Sequence, residues 1–378
     1  MSANIRAMPL PPVSIPETAS EGRQRFHSAH SLLEQAVKEK AFPGASYGIW
    51  HQGHIVALDT VGNFTYDSDA SAVTPSTVYD LASLTKVLAT TSIAMRLYDR
   101  GILDLDARLG DILPGFVIGG SRDRIRVTLR SLLAHDSGLP GYGRLFEAHS
   151  TPQGVLRAAL QTPLEAPPHI RSEYSDIGFI LLGLALEVLS GDIFARFFAR
   201  EIATPLGLSS TRFQPPQDWR TFIPPTENDT WYRHRVIQGE VQDENCSALG
   251  GVAGHAGLFS NAYDVLQFAA CILCHGKTQD GSQLFKPDTV RLFATRQAAP
   301  QGTTRALGWD TPGNPSSSGR FFSANSIGHL GYAGTSLWID PERQLTAVLL
   351  TNRTWPDRQN KTIQQVRPAF HDAIASAL

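Results

Sequence analysis

Strand-like patterns sit at the two ends of this 378-residue chain, and helical spacing fills the middle. Ala45 to Trp50 and His54 to Asp59 flank His51-Gln52-Gly53 and read as a hairpin. Ile327 to Leu330, Ser336 to Ile339 and Leu345 to Thr351 read as three more strands, with turns at 331–335 and 340–344. Apolar residues recur at helical intervals over 22–40, Leu81 to Arg100, 128–135, 152–160, 176–189, 193–203, Ala262 to Cys274 and Thr362 to Ala377. The stretch 212–245 has no period and reads as long loop. Short strands from opposite ends of a chain are best buried by joining one sheet, with the terminal helices packed on it. The expected class is therefore α+β: an antiparallel sheet of five or more strands flanked by terminal helices, plus an inserted all-α lobe. The α/β lobe would take about 22–80 and 250–378, and the helical lobe about 81–249. A crevice between two lobes is a favoured place for a small-molecule site.

Composition narrows the function classes. The apolar share is 42% and the charged share 18%, as in globular proteins. Lys and Arg number 33 against 35 Asp and Glu, a net charge of -2, which argues against a nucleic-acid partner or a polybasic membrane surface. Residues 1–21 carry Pro9, Pro11, Pro12 and Pro16 and read as an extended or disordered arm, not as a secretory leader. Ile177 to Leu189 is interrupted by Gly183 and Glu187 and is too short to span a bilayer. A cytoplasmic protein with no membrane span is expected; the oligomeric state is left open. The three cysteines are too few for a disulfide scaffold. Cys271-Ile272-Leu273-Cys274-His275 has the spelling of a haem attachment site, but an apolar helical context reads as buried structural thiols. The scattered histidines show no metal-ligand spacing, so neither metal nor cofactor is expected. Gly-x-Ser-x-Gly, the mark of an α/β-hydrolase nucleophile, is absent.

Three short segments carry chemistry. Ser83-Leu84-Thr85-Lys86 opens a helical stretch, and positions i and i+3 share a helix face, which sets an amine beside a hydroxyl. A serine needs such a base to become a nucleophile, and a lysine serves when burial or another cation lowers its pKa. The chain has six lysines, and Ser83 is the only serine three residues before one. Tyr174-Ser175-Asp176 precedes the helix at 176–189; Tyr174 is a candidate base, and Ser175 or Asp176 a candidate helix cap. His329-Leu330-Gly331-Tyr332-Ala333-Gly334-Thr335 lies on a strand and turn where glycines let a ligand approach the backbone, and the Tyr332 N–H could serve an oxyanion. His255, between Gly254 and Ala256, could line the cleft, with Asp243, Glu244 and Asn245 positioning its loop. Trp231 and Tyr232 could wall an acyl pocket, and Trp338 reads as core.

Taken in this order, Ser-x-x-Lys, Tyr-x-Asp and a basic residue-x-Gly strand, the chain resembles the serine β-lactamase and penicillin-binding protein superfamily. Within it the likeness is to class C β-lactamases, family VIII esterases and D-alanyl-D-alanine carboxypeptidase-like proteins. Tyr79 to Lys86, Leu132 to Leu139 and Gly250 to Leu258 are similar to family segments too. The resemblance implies one β-lactamase-like catalytic domain over 22–378. It implies Ser83 as the acylated nucleophile, Lys86 and Tyr174 as the proton relay, and the Ser83 and Tyr332 N–H groups as the oxyanion hole. His329, Gly331, Asp176 and His255 are the remaining candidates around the substrate. Two departures bear on substrate. His329 stands where the family often has the lysine of Lys-Thr-Gly, and a histidine is charged only part of the time near neutral pH. Asp176 stands where Asn is frequent, and an ionised carboxylate donates no hydrogen bond to an acyl amide. Both favour a serine hydrolase of small carboxylic esters over a β-lactamase or D-alanyl-D-alanine carboxypeptidase-like amidase. An acyltransferase on the same fold is a further alternative. The partner in every case is a small ester or amide.

Overall fold

A computed structural model describes residues 21–149 and 151–378. The arm expected over 1–21 therefore lies, but for Glu21, outside the described residues. Ten strands are found among them: β1 (Gly44–His51), β2 (His54–Gly62), β3 (Tyr79–Asp80), β4 (Arg212–Phe213), β5 (Glu227–Asp229), β6 (Arg235–Ile237), β7 (Leu258–Ser260), β8 (Ile327–Leu330), β9 (Ser336–Asp340) and β10 (Leu345–Thr351). The main sheet has the order β2-β1-β10-β9-β8 and every pairing is antiparallel. Ala45 pairs with Thr351 and His51 with Leu345, so the two ends of the chain meet at the centre of the sheet. Gln52 and Gly53, both at positive φ, make the tight turn between β1 and β2.

Burial explains the central register. Every residue of β10 is buried, as in a strand covered on both faces. On one face Tyr47, Ile49, Leu345 and Leu349 meet α1 (His27–Lys38), through Ala29 and Leu33. The C-terminal helix (Ile363–Ser376) covers the same face with Val366, Phe370 and Ile374. On the other face Leu58, Val348 and Leu350 share a cluster with Leu266 and Phe268 of the helix Ala262–Leu273. That helix lies so close that a Cβ on Gly48 would stand 2.4 Å from Leu266 Cδ1. The same cluster continues into the middle of the chain through Leu132, Phe179 and Leu182, so sheet and helices share one core.

The observed elements depart from the periodicity in two places that matter for the site. Leu81 to Arg100 is not one regular helix. A tight turn at Ala82–Leu84 leads into a widened π-type turn at Lys86–Thr91, and a regular helix follows only at Ser92–Asp99. The hydroxyls of Thr91 and Ser92 donate to the carbonyls of Lys86 and Val87, five residues back, and so support the wider turn. The stretch 212–245 is more ordered than expected: β4 joins β3 and β7 in a small sheet, and β5 pairs with β6. Pro287–Ala294 forms a further helix, outside the segments whose spacing predicts one.

Gly48→Ala is expected to lower the free energy of unfolding by about 1–3 kcal/mol, the usual scale of overpacking. Urea titration checks it, and combining it with Leu266→Ala should cost less than the sum of the two single changes, because the clash is then removed.

Candidate active site

The nucleophile candidate is presented by a strained turn. After β3, Ala82 adopts a left-handed conformation (φ 47°), uncommon for a residue with a Cβ. Ser83 follows, and the turn brings Lys86 back beneath it. Lys86 is wholly buried, and its Nζ donates to three oxygens: Ser83 Oγ at 3.0 Å, Asp176 Oδ1 at 2.6 Å and the His255 carbonyl at 3.1 Å. That is the full donor capacity of an ammonium. One buried amine thus gathers residues that stand 3, 90 and 169 positions away in the chain.

Asp176 is free for this contact because Ser175 caps the helix Asp176–Ser190. The Ser175 hydroxyl accepts from Gly178 N–H at 2.9 Å and donates to the Pro140 carbonyl at 2.6 Å. Tyr174, one residue earlier, is fixed by its ring. The His135 ring lies at 4.7 Å and Lys86 Nζ at 4.8 Å from its centroid. His135 in turn stacks on Phe179 and accepts the Ser175 N–H at Nδ1. In the sequence His135 stood out only within the segment Leu132 to Leu139; the structure makes it the support behind the phenol.

Charge states follow from burial and partners. Burial alone would lower Lys86, as the sequence suggested, but the Asp176 carboxylate and the Tyr174 phenol outweigh it and the amine is raised above its ordinary value. Burial raises the Tyr174 phenol too, and the nearby ammonium only partly offsets it. The resting site therefore holds the Lys86 ammonium in an ion pair with Asp176, beside a phenol kept in its neutral form.

The strand β8 supplies the third wall. His329 is 3% exposed, and its Nδ1 lies 2.8 Å from the Leu330 carbonyl. A carbonyl only accepts, so Nδ1 carries the proton and the buried, unpartnered Nε2 is left as a lone pair. Burial, then Lys86 and Arg305, push this imidazole well below its ordinary pKa. The expectation of a partly protonated His329 is corrected: it is a neutral acceptor. A permanent cation is nonetheless present nearby. Arg305 lines the cleft with its guanidinium 5.4 Å from the Tyr174 centroid. Its nearest acid, Asp310, is 3.7 Å away, and its side chain makes no hydrogen bond among the described residues. Other cleft arginines are committed: Arg358 to Glu227 and Glu244, and Arg367 to the Gly331 and Thr335 carbonyls. Nothing in the local sequence around Arg305 marks it out.

Gly331 is required sterically, since a Cβ there would stand 2.0 Å from Thr335 Oγ1 and 2.5 Å from the Leu81 carbonyl. Thr335 Oγ1 donates to that same carbonyl at 2.9 Å, so the β8–β9 turn is pinned to the Ser83 turn. The Tyr332 N–H has no partner among the described residues, and its ring is half exposed at the mouth. His255 is 1% exposed and pairs through Nε2 with Asp243 Oδ1 at 2.8 Å. Asp243 caps the short helix Glu244–Ala248 through Cys246 N–H, and the Asn245 amide donates to the Gly143 carbonyl. The cleft holds about 650 Å³, and Ser83, Tyr174, His255, His329 and Tyr332 all line it. Trp231 lines it as well, Tyr232 packs on Phe146 at 4.6 Å between centroids, and Trp338 is core. Cys271 lies in the core of the helix Ala262–Leu273, its thiol pushed up to about 12 by burial.

Comparisons with known proteins bear on this arrangement. The family model described as β-lactamase matches residues 29–368. A putative D-alanyl-D-alanine carboxypeptidase of Escherichia coli K12 is 32% identical over 93% of this chain and 88% of its own length. Among solved structures, EstCE1, a hydrolase with promiscuous acyltransferase activity, superposes with a TM-score of 0.73 at 22% identity, covering 92% of this chain and 99% of that one. A penicillin-binding protein homologue from Caulobacter crescentus gives 0.75 at 18% identity, over 97% and 99% of the two chains.

The ion pair predicts a reversal in pH dependence. In the native protein Lys86 is raised, so its contribution to stability is full below the ordinary lysine range and is lost as pH climbs through it. Asp176→Asn leaves burial unopposed by a carboxylate and lowers the amine, so stability should fall at pH 7 by about 3–5 kcal/mol, the scale for breaking a buried pair. It should then recover as pH rises toward 10. Urea midpoints measured at pH 7 and pH 10 should rise for Asp176→Asn and show no loss from Lys86 in the native protein, where that loss begins only above the ordinary lysine range.

Proposed function

The chain belongs to the β-lactamase family of serine hydrolases, and we propose that Ser83 is its acylated nucleophile in the hydrolysis of small carboxylic esters. The observation that carries this reading is the three-way contact of Lys86 with Ser83, Asp176 and the His255 carbonyl.

A resting ammonium cannot accept the Ser83 proton, so the relay has to include Asp176. As Ser83 Oγ attacks the ester carbonyl, its proton passes to Lys86 while Lys86 passes one to Asp176. The oxyanion is met by the backbone N–H groups of Ser83 and Tyr332. Tyr174 then gives its phenolic proton to the departing alcohol and is refilled from Lys86, which is refilled from Asp176. The acyl-enzyme is left with every group in its starting state. Water repeats the path: its proton enters through Tyr174 toward Lys86 and Asp176, and Ser83 recovers a proton from Lys86 as the acid leaves.

Two of the side chains beside Ser83 and Tyr174 are acceptors. Asp176 is ionised and His329 presents a lone pair, neither of which suits an acyl amide oxygen. Arg305 provides a permanent cation, so esters bearing a carboxylate should bind best. A second reading, a D-alanyl-D-alanine carboxypeptidase-like amidase, is supported by the same arginine and by the name its Escherichia coli relative carries. Release of p-nitrophenol from a short-chain ester, set against D-alanine release and opening of a chromogenic cephalosporin, decides between them; turnover of the latter two alone overturns the esterase reading. Added alcohols that yield new esters would mark acyl transfer.

Ser83→Ala should abolish turnover while leaving the unfolding midpoint within error, and mass spectrometry should place the acyl adduct on Ser83 in the native protein. Arg305→Ala should raise KM for p-nitrophenyl hemisuccinate about 10- to 100-fold, the range for a lost charge-assisted hydrogen bond. The neutral acetate ester should change far less.

A further inference from the structure

Asp80 has no part in the relay above, yet it is a buried carboxylate directly beside the Ser83 turn. It is 2% exposed, its Oδ1 accepts the Ala82 N–H at 2.8 Å, and its Oδ2 accepts the Gln242 N–H at 2.8 Å. No cation pairs with it among the described residues. Arg233 is the nearest basic contribution and is committed to Asp229, while Asp243 and the Cys246 thiol face it from the 242–246 side. A buried carboxylate held only by backbone N–H groups is costly, and such a group persists where it organises its surroundings.

What it organises is legible from its two partners. Ala82 is the left-handed residue that presents Ser83. Gln242 precedes Asp243, which fixes the His255 ring at 2.8 Å, and the His255 carbonyl accepts a hydrogen bond from Lys86 Nζ. We propose that Asp80 is a positioning residue whose ionised carboxylate locks the Ala82–Ser83 turn to the 241–244 segment, setting nucleophile and lysine in mutual register. The proposal rests on Ser83 being the nucleophile and adds a residue that touches neither substrate nor proton.

Its charge gives the proposal a signature. Burial, more than Asp243, raises the carboxyl to about 6, against the pull of the Gln242 and Ala82 N–H groups. A raised acid is protonated more readily in the folded chain than in the unfolded one, so stability from this group increases as pH falls toward 6 and below. Protonation also removes an acceptor from the turn, so Ser83 reactivity should decline over the same range. Reactivity and stability then move in opposite directions, which a purely structural carboxylate would not produce.

The test is the second-order rate at which a fluorophosphonate labels Ser83 between pH 5 and 8, in the native protein, in Asp80→Asn and in Asp264→Asn. Asp264 is the control: also raised to about 6 by burial, it accepts from Ser210 and Thr211 and does not line the cleft. Asp80→Asn should label 10- to 100-fold more slowly at pH 7.5 and lose the native acid limb near 6, with a urea midpoint at least as high at pH 7.5 as at pH 5.5. Asp264→Asn should keep both the rate and the limb. Equal labelling of Asp80→Asn, or a limb that survives it or vanishes in Asp264→Asn, overturns the proposal. If Asp80→Asn does not fold, the native profile decides: a folded protein with no limb between pH 5 and 7 also overturns it. A native protein that takes no label at all refutes the nucleophile assignment instead.

Discussion

An ammonium buried without exposure demands a counter-charge, and the Lys86–Asp176 contact at 2.6 Å is where this structure meets that demand. Taking both ions out of water is expensive, and their attraction compensates only with close geometry and full hydrogen bonding. Lys86 has both, since Ser83 and the His255 carbonyl complete its donors. The three oxygens belong to the turn after β3, the start of the helix Asp176–Ser190 and the loop before β7. Satisfying one charge therefore fixes the relative placement of three segments that no local propensity would bring together.

Each segment has its own local device that frees the chemical group for this role. Ser175 takes the capping duty, so the Asp176 carboxylate can face Lys86 and not its own helix terminus. His135 backs the Tyr174 ring and holds the Ser175 N–H, which steadies phenol and cap together. Thr335 and the absent side chain of Gly331 let the β8–β9 turn close on the Leu81 carbonyl. The hydroxyls of Thr91 and Ser92 sustain the widened turn in which Lys86 sits.

The architecture was largely legible because it depends on period and punctuation. Strand patterns at 45–59 and 327–351 are local signals, and burying them together left one sheet as the simple solution. Ser83 and Lys86 were legible for the same reason, being one helical turn apart. Arg305, His135 and Asp80 were not, because their meaning lies in contacts made across the fold. The sign of the Lys86 shift was hidden too: burial is guessed from apolar neighbours, but a carboxylate 90 positions away decides the outcome. His329 shows the complementary limit, for its residue type suggested a titrating cation and only its burial and its bond to Leu330 make it a neutral acceptor.

Residue identity at a motif position and charge at the corresponding point in space are therefore separate quantities here. With histidine in the place of a lysine on β8, the strand itself contributes no positive charge. Arg305 reaches Tyr174 from the loop before β8, anchored because Arg305 bridges to Asp310 and Asp310 bridges to Gly328, next to His329. Lys86 and Asp176 pair with each other, and Arg305 places a guanidinium 5.4 Å from the Tyr174 centroid. A permanent cation on a loop, in place of one on the strand, can be changed without touching the β8 residues that hold Gly331 against the Ser83 turn. The cation beside Tyr174 and the glycine that closes on the Ser83 turn are thereby carried by different parts of the chain.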